Sequence, residues 1–135
     1  MKTRTIRQVV IFRAPPHDVY ELLMDERKHA AFTGGTARIG RRVGGSFSIY
    51  DGYITGENLE LVQDERIVQS WIPAEDCWPE GHVSKVTFTL KPSKGGTKLV
   101  LTHEGIPVDC GDRFDVGWRE HYWAPMKRAL GKRKE

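Results

Sequence analysis

From Ser46 to Glu104 the chain alternates apolar and polar residues in short runs broken by turn residues. After Asp112 it changes to aromatic residues recurring every four positions. The first pattern has the period of half-buried strands, the second that of one helix face. A sheet with one apolar face and a helix with one apolar stripe can hide those surfaces against each other, which argues for an α+β layer arrangement.

The strand signals are distinct. Thr3 to Arg13, rich in Val, Ile and Phe, predicts a first strand ended by Pro15-Pro16. A helix follows over His17–Met24 with Val19, Leu22 and Leu23 on one face, and a second short helix over Glu26–Phe32 stops at Gly34-Gly35. Ser46–Ile49 then alternates, Asp51-Gly52 reads as a two-residue hairpin, and Tyr53–Val62 returns with Gly56 marking a bulge or bend. Arg66–Ile72, Val83–Leu90 and Thr97–Glu104 complete a meander of about five or six strands, the last two joined at Pro92–Gly96. In the closing helix Asp112 is the expected N-cap, Asp115 lies in the first turn, and Phe114, Trp118, Tyr122 and Met126 form the stripe. Pro125 is expected to kink it.

A chain of 135 residues favours one domain, here 1–135, large enough to bury a core without staples. Charged residues at 29% and mean hydropathy of −0.50 exclude a disordered or membrane-embedded chain. The longest apolar run, Val9–Phe12, is far short of a membrane span, and no apolar segment follows Lys2 and Arg4 as in a signal peptide. The expectation is a cytoplasmic protein whose two cysteines, Cys77 and Cys110, are reduced. Net charge is +3, concentrated at Lys127, Arg128, Lys132, Arg133 and Lys134. A run of this kind reads as a solvated end, so no nucleic-acid partner is expected.

The succession of strand, two short helices, meander and long helix resembles the helix-grip plan of START-like (SRPBCC) domains, the superfamily that includes the birch-pollen allergen. Within it, Gly45–Gly56, Ile67–Trp71 and Trp78–Ser84, followed by Gly105-Ile106-Pro107, Gly117-Trp118 and Tyr122-Trp123, resemble the activators of the heat-shock-protein-90 ATPase. The Trp78-Pro79-Glu80-Gly81-His82 string is similar to the C-terminal domain of the eukaryotic co-chaperone. The resemblance covers essentially the whole chain and implies a curved antiparallel sheet around a long C-terminal helix. It also implies a heat-shock-protein-90-type chaperone as partner and a link to stress response. The co-chaperone carries a separate N-terminal domain, for which this chain has no room, so chaperone binding is expected rather than full ATPase activation.

The candidate residues admit more than one reading. Phe47, Ile49, Trp71, Phe88, Trp118 and Tyr122, with His103 on the same face as Leu99 and Leu101, could line a pocket for a small hydrophobic ligand between sheet and helix. Equally, they could fill the core. Trp78, Glu80 and His82, on a loop between strands, read as a partner-binding surface or as a plug with Trp78 folded under. His103 and Glu104, near the end of the last strand, suggest acid–base work with Glu57, but nothing supplies a nucleophile with a base at recognised spacing. The cysteines and histidines show no metal-ligand spacing, and the glycine pairs lack the setting of a phosphate loop. The expectation is a non-enzymatic interaction module without catalytic residues, metal or cofactor, and with a small-ligand carrier as the alternative.

Overall fold

A computed structural model describes residues 1–131. Strand β1 (Thr3–Phe12) leads into α1 (Pro16–Met24) and α2 (Glu26–Thr33). Six strands follow: β2 (Arg38–Ile39), β3 (Ser46–Ile49), β4 (Ile54–Val62), β5 (Arg66–Pro73), β6 (Ser84–Ser93) and β7 (Gly96–Pro107). Together with β1 they form one antiparallel, curved sheet in the order β1-β7-β6-β5-β4-β3-β2. A single 3₁₀ turn, Val108–Cys110, then opens the C-terminal helical segment. This consists of α3 (Gly111–Trp118), a widened π-helical turn (Arg119–Trp123) and α4 (Ala124–Gly131).

Local chemistry accounts for the boundaries. Pro16 opens α1, where its missing N–H costs nothing. Asp25 caps α2 by accepting from the Arg27 and Lys28 amides at 3.0 Å, and Gly34, at φ 83°, ends it in the left-handed conformation. The helical stripe packs against the sheet: Phe114, Trp118, Tyr122 and Met126 are all buried, beside Ile6, Val10 and Phe12 of β1 and Leu99 and Leu101 of β7. Burial of each large apolar side chain stabilises the fold by roughly 1.5–3 kcal/mol. Gln8 clamps β1 to the helical segment, donating to the Asp115 carbonyl and carboxylate at 2.9 Å and accepting from Trp123 Nε1 at 2.7 Å.

Several expectations are corrected. Gly56 marks a close approach rather than a bulge: a Cβ there would lie 1.8 Å from the Ser70 carbonyl oxygen. The irregularity in β4–β5 pairing falls between Asn58 and Glu60. The β3–β4 turn is longer than two residues, with Tyr50, Asp51 and Gly52 all at positive φ. Asp112 is not the N-cap; Cys110 holds that position, and Asp112 lies in the first turn with its carboxylate 3.2 Å from Arg4. Ahead of Pro125 the helical segment widens into the π turn Arg119–Trp123. Of the basic residues at the C-terminus, Lys127 and Arg128 are exposed on α4, while Lys132, Arg133 and Lys134 lie outside the described residues. Among the described residues no helix is long and apolar enough to cross a membrane.

Candidate functional site

The interior between sheet and helix is closed by a chain of hydrogen bonds through His103. Alternation along β7 turns His103 inward with Leu99 and Leu101, and all three are fully buried. Trp118 Nε1 can only donate, and it lies 3.2 Å from His103 Nδ1, so Nδ1 is the accepting nitrogen and Nε2 carries the proton. Nε2–H donates to Ser84 Oγ at 2.9 Å, and the Ser84 hydroxyl donates to the Trp71 carbonyl at 2.9 Å. Burial lowers the His103 pKa to about 3, in keeping with the neutral tautomer this chain requires. Glu57, the acid–base partner weighed from sequence, is exposed on β4. The bond chain leaves no ring nitrogen of His103 for it.

Of the residues expected to line a ligand pocket, Phe47, Ile49 and Phe88 are buried in the core with Trp71, Tyr122 and His29. The space left among them is about 10 Å³, the size of one water. His29 Nε2 is 2.8 Å from the Tyr122 hydroxyl, whereas its buried Nδ1 has no protein partner. Burial alone lowers the His29 pKa to about 4.

Trp71, Trp118 and Tyr122 also reach the floor of a larger, open groove of about 620 Å³. Its walls come from the β3–β4 turn (Tyr50, Tyr53), the segment after β5 (Glu75) and the exposed side of α3 (Arg113, Val116, Gly117). Trp118 stacks between Trp71 and Trp123, at centroid distances of 4.9 and 5.4 Å, and therefore offers the groove an edge rather than a face. At one end the Glu75 carboxylate accepts from both the Tyr53 hydroxyl and Arg113. Burial, reinforced by Glu75, holds the Tyr53 phenol well above its ordinary pKa. At the other end the Tyr50 hydroxyl donates to the His121 carbonyl at 2.7 Å, and burial pushes the Tyr50 pKa up to about 12.

That last bond explains the π turn. Pro125 has no N–H to give the carbonyl four residues earlier, and its ring would crowd that carbonyl in a regular helix. The carbonyl is His121's. The turn widens instead, with the Ala124 amide bonding five residues back to Arg119, and Tyr50 supplies the donor that Pro125 lacks. Sequence reasoning missed Tyr50, Tyr53, Glu75, Arg113 and Gly117 as lining residues. The available signals were Pro125 four residues after His121 and a glycine inside the aromatic stripe, where it costs a helix up to about 1 kcal/mol relative to alanine.

The Trp78 loop lies beside this groove. Trp78 is only 7% exposed, packs on Phe114 at 5.7 Å and donates from Nε1 to the His82 carbonyl at 2.7 Å. His82 is half-buried and donates from Nε2 to the Gly105 carbonyl at 2.7 Å. Of the three residues weighed as a partner surface, only Glu80 is exposed. The expectation of reduced cysteines is corrected: Cys77 and Cys110 form a disulfide, their Cα atoms 5.7 Å apart. Folding sets the loop against the turn before α3, bringing together residues 33 positions apart in sequence.

Comparison with known proteins matches the fold and these segments to one family. Its description, Activator of Hsp90 ATPase homolog 1-like protein, fits residues 13–131. The human protein named Activator of 90 kDa heat shock protein ATPase homolog 1 is 32% identical over 120 residues, covering 89% of this chain and 35% of its own length. A Dictyostelium discoideum protein named Activator of 90 kDa heat shock protein ATPase homolog is 32% identical over 129 residues, covering 95% of this chain and 33% of its own. The chain thus spans about a third of the length of these relatives. The crystal structure of an HSP90 activator from Plasmodium falciparum superposes with a TM-score of 0.87 at 27% identity, covering 94% of this chain and 96% of that one. A closed core built on the aromatic helix stripe, with the Trp78 loop docked at its side, is here the architecture of a member of the Activator of Hsp90 ATPase homolog 1-like family.

Proposed function

We propose that the chain is a non-enzymatic interaction module that binds a heat-shock-protein-90-type chaperone, in the manner of the C-terminal domain it resembles. The observation that carries this reading is the 32% identity with the human activator across 89% of the chain. The interior supports it. The one buried imidazole near the helix that sequence suggested for chemistry has both nitrogens engaged, and the acid weighed with it stands on the surface. Because the relatives are about three times longer, the reading is confined to binding. Titration of isotope-labelled protein with the host's own chaperone tests it through backbone amide shifts. Changes localised to residues 74–83 or to the helical segment 111–131 are expected; none at high chaperone concentration would set the reading aside.

A second reading rests on the groove. Its volume of about 620 Å³ lies within the range of small-molecule sites, and the Tyr50 and Tyr53 hydroxyls beside an aromatic floor suit an apolar molecule with a polar end. Quenching or enhancement of tryptophan fluorescence by such compounds, reduced in Trp118→Ala, is the expected sign. A panel of apolar compounds without effect on the native protein counts against it.

A further inference from the structure

The loop that follows β5 is held to the helical segment by two cross-links along one seam. Glu75 meets Arg113 and Cys77 meets Cys110, so the two bonds lie within three residues of each other on both sides. The ionic link carries an Arg113 side chain that is 60% exposed, open to water and salt. The covalent link is adjacent to Trp78 in sequence, and Trp78 rests on Phe114, four residues after Cys110. Trp78 is also buried in the core and in ring contact with His82 at 5.5 Å. The loop adds hydrogen bonds from Trp78 Nε1 to the His82 carbonyl, from His82 Nε2 to the Gly105 carbonyl, and from the Trp78 and His82 amides to the Glu75 and Pro79 carbonyls. The disulfide is the one covalent restraint among these contacts, and it sits next to Trp78 in sequence.

We propose that Cys77–Cys110 is a thiol–disulfide exchange site that latches this loop: the disulfide keeps Trp78 docked, and reduction by a dithiol releases the loop as a chaperone-contacting surface. The partner in this statement rests on the function proposed above; the latch is read from this chain alone.

The two sulfurs differ in access. Cys110 is fully buried and Cys77 is half-buried, so Cys77 is the more accessible end of the bond and the end at which attack by an incoming thiolate is assigned. Its electron pair forms a mixed disulfide with Cys77 as the Cys77–Cys110 bond breaks, and Cys110 leaves as a thiolate that takes up a proton. Cys110 holds the N-cap position of α3, where the first-turn amides favour the departing negative charge. The reductant's second thiolate then attacks its own sulfur in the mixed disulfide, forming the reductant's disulfide and releasing Cys77 as a thiolate that is protonated. Two electrons and two protons pass from the dithiol to the protein, and nothing else is consumed.

The test uses the whole chain, oxidised and after dithiothreitol under native conditions. Alkylation and mass spectrometry count free thiols, and hydrogen exchange follows amides 75–83 against those of β6 and β7. Two thiols, exchange of 75–83 faster by about tenfold or more, and unchanged strands are expected. The variant Cys77→Ser with Cys110→Ala should reproduce the loop exchange without reductant. If it does not fold, the native-state reduction still decides. Resistance of the bond to dithiothreitol, or loop exchange within about twofold in both forms, would overturn the latch. Chaperone binding by the reduced form at least about fivefold tighter than by the oxidised form supports the loop as the contact. Equal affinity after the loop has opened overturns that contact while the latch stands. Absence of binding in either form overturns the chaperone reading, and the exchange data still judge the latch.

Discussion

Trp118 faces a sealed interior on one side and an open groove on the other, and the two regions match their polar groups differently. Inside, every donor in the run Trp118–His103–Ser84–Trp71 has one acceptor, and the members come from α3, β7, β6 and β5. In the groove, Glu75 takes two donors and Arg113 has donors to spare, close to water. An interior network of this kind is costly to interrupt because a buried group left alone cannot turn to solvent. A groove network can exchange its partners. The first region suits holding the fold, the second suits meeting something else.

The largest effect should come from breaking the sealed side. Trp118→Ala removes a side chain that is 2% exposed and leaves His103 Nδ1 without its donor. A loss of about 3–5 kcal/mol in denaturant unfolding is expected. Val116→Ala, two residues away on the exposed side of the same helix, should stay within about 0.5 kcal/mol. A Trp118→Ala cost below about 1 kcal/mol would mean that the interior is not closed as described.

Acid should act on the same side. His29 and His103 titrate in the folded protein at about 4 and about 3, against 6.5 for the free group, because burial disfavours the imidazolium. Between these limits the unfolded chain binds protons that the native protein does not, so stability falls as pH falls. Each imidazole contributes up to about 1.4 kcal/mol per pH unit below roughly 6.5, down to its folded value. Urea midpoints should hold nearly level from pH 7.5 to about 6.5 and decline from there to pH 4.5, and His103→Gln should flatten that decline. A flat profile for the native protein would place charged histidines in the interior.

What was legible in the sequence follows the same division. The sheet and the helix stripe announce themselves by period, because a residue such as Leu101 or Met126 must face the core whatever its partner is. His103 could be assigned its face by alternation, yet Ser84 and Trp118 as its partners depend on strand register and helix depth, which no local pattern records. The groove was not legible, since Tyr50, Glu75 and Arg113 come from a turn, a loop and a helix that meet only after folding. The disulfide failed for a related reason: 33 residues of separation say nothing about the seam where Cys77 and Cys110 meet. Pro125 is legible as a defect in the ladder, whereas the widened turn ahead of it and the Tyr50 hydroxyl that bonds the His121 carbonyl are not, because Tyr50 arrives from a distant turn.

The smallest effect tests that borrowing at the groove end. Tyr50 adopts φ 53°, a conformation that costs a non-glycine residue of order 1 kcal/mol, and its hydroxyl reaches the His121 carbonyl. Tyr50→Phe keeps the ring packed and removes only the donor. Because the His121 side is exposed, water can replace part of the bond, and a loss of about 0.5–1 kcal/mol is expected. If the hydroxyl stands in for the amide that Pro125 lacks, restoring that amide should make it redundant. In a Pro125→Ala background the turn can close as a regular α-helix, the His121 carbonyl gains its donor four residues on, and Tyr50→Phe should then cost close to nothing. The double-mutant cycle therefore predicts a coupling of about 0.5 kcal/mol or more between residues 75 positions apart in sequence. Additive effects would show instead that the π turn and the tyrosine bond are independent, and that the groove end is shaped by ring packing alone.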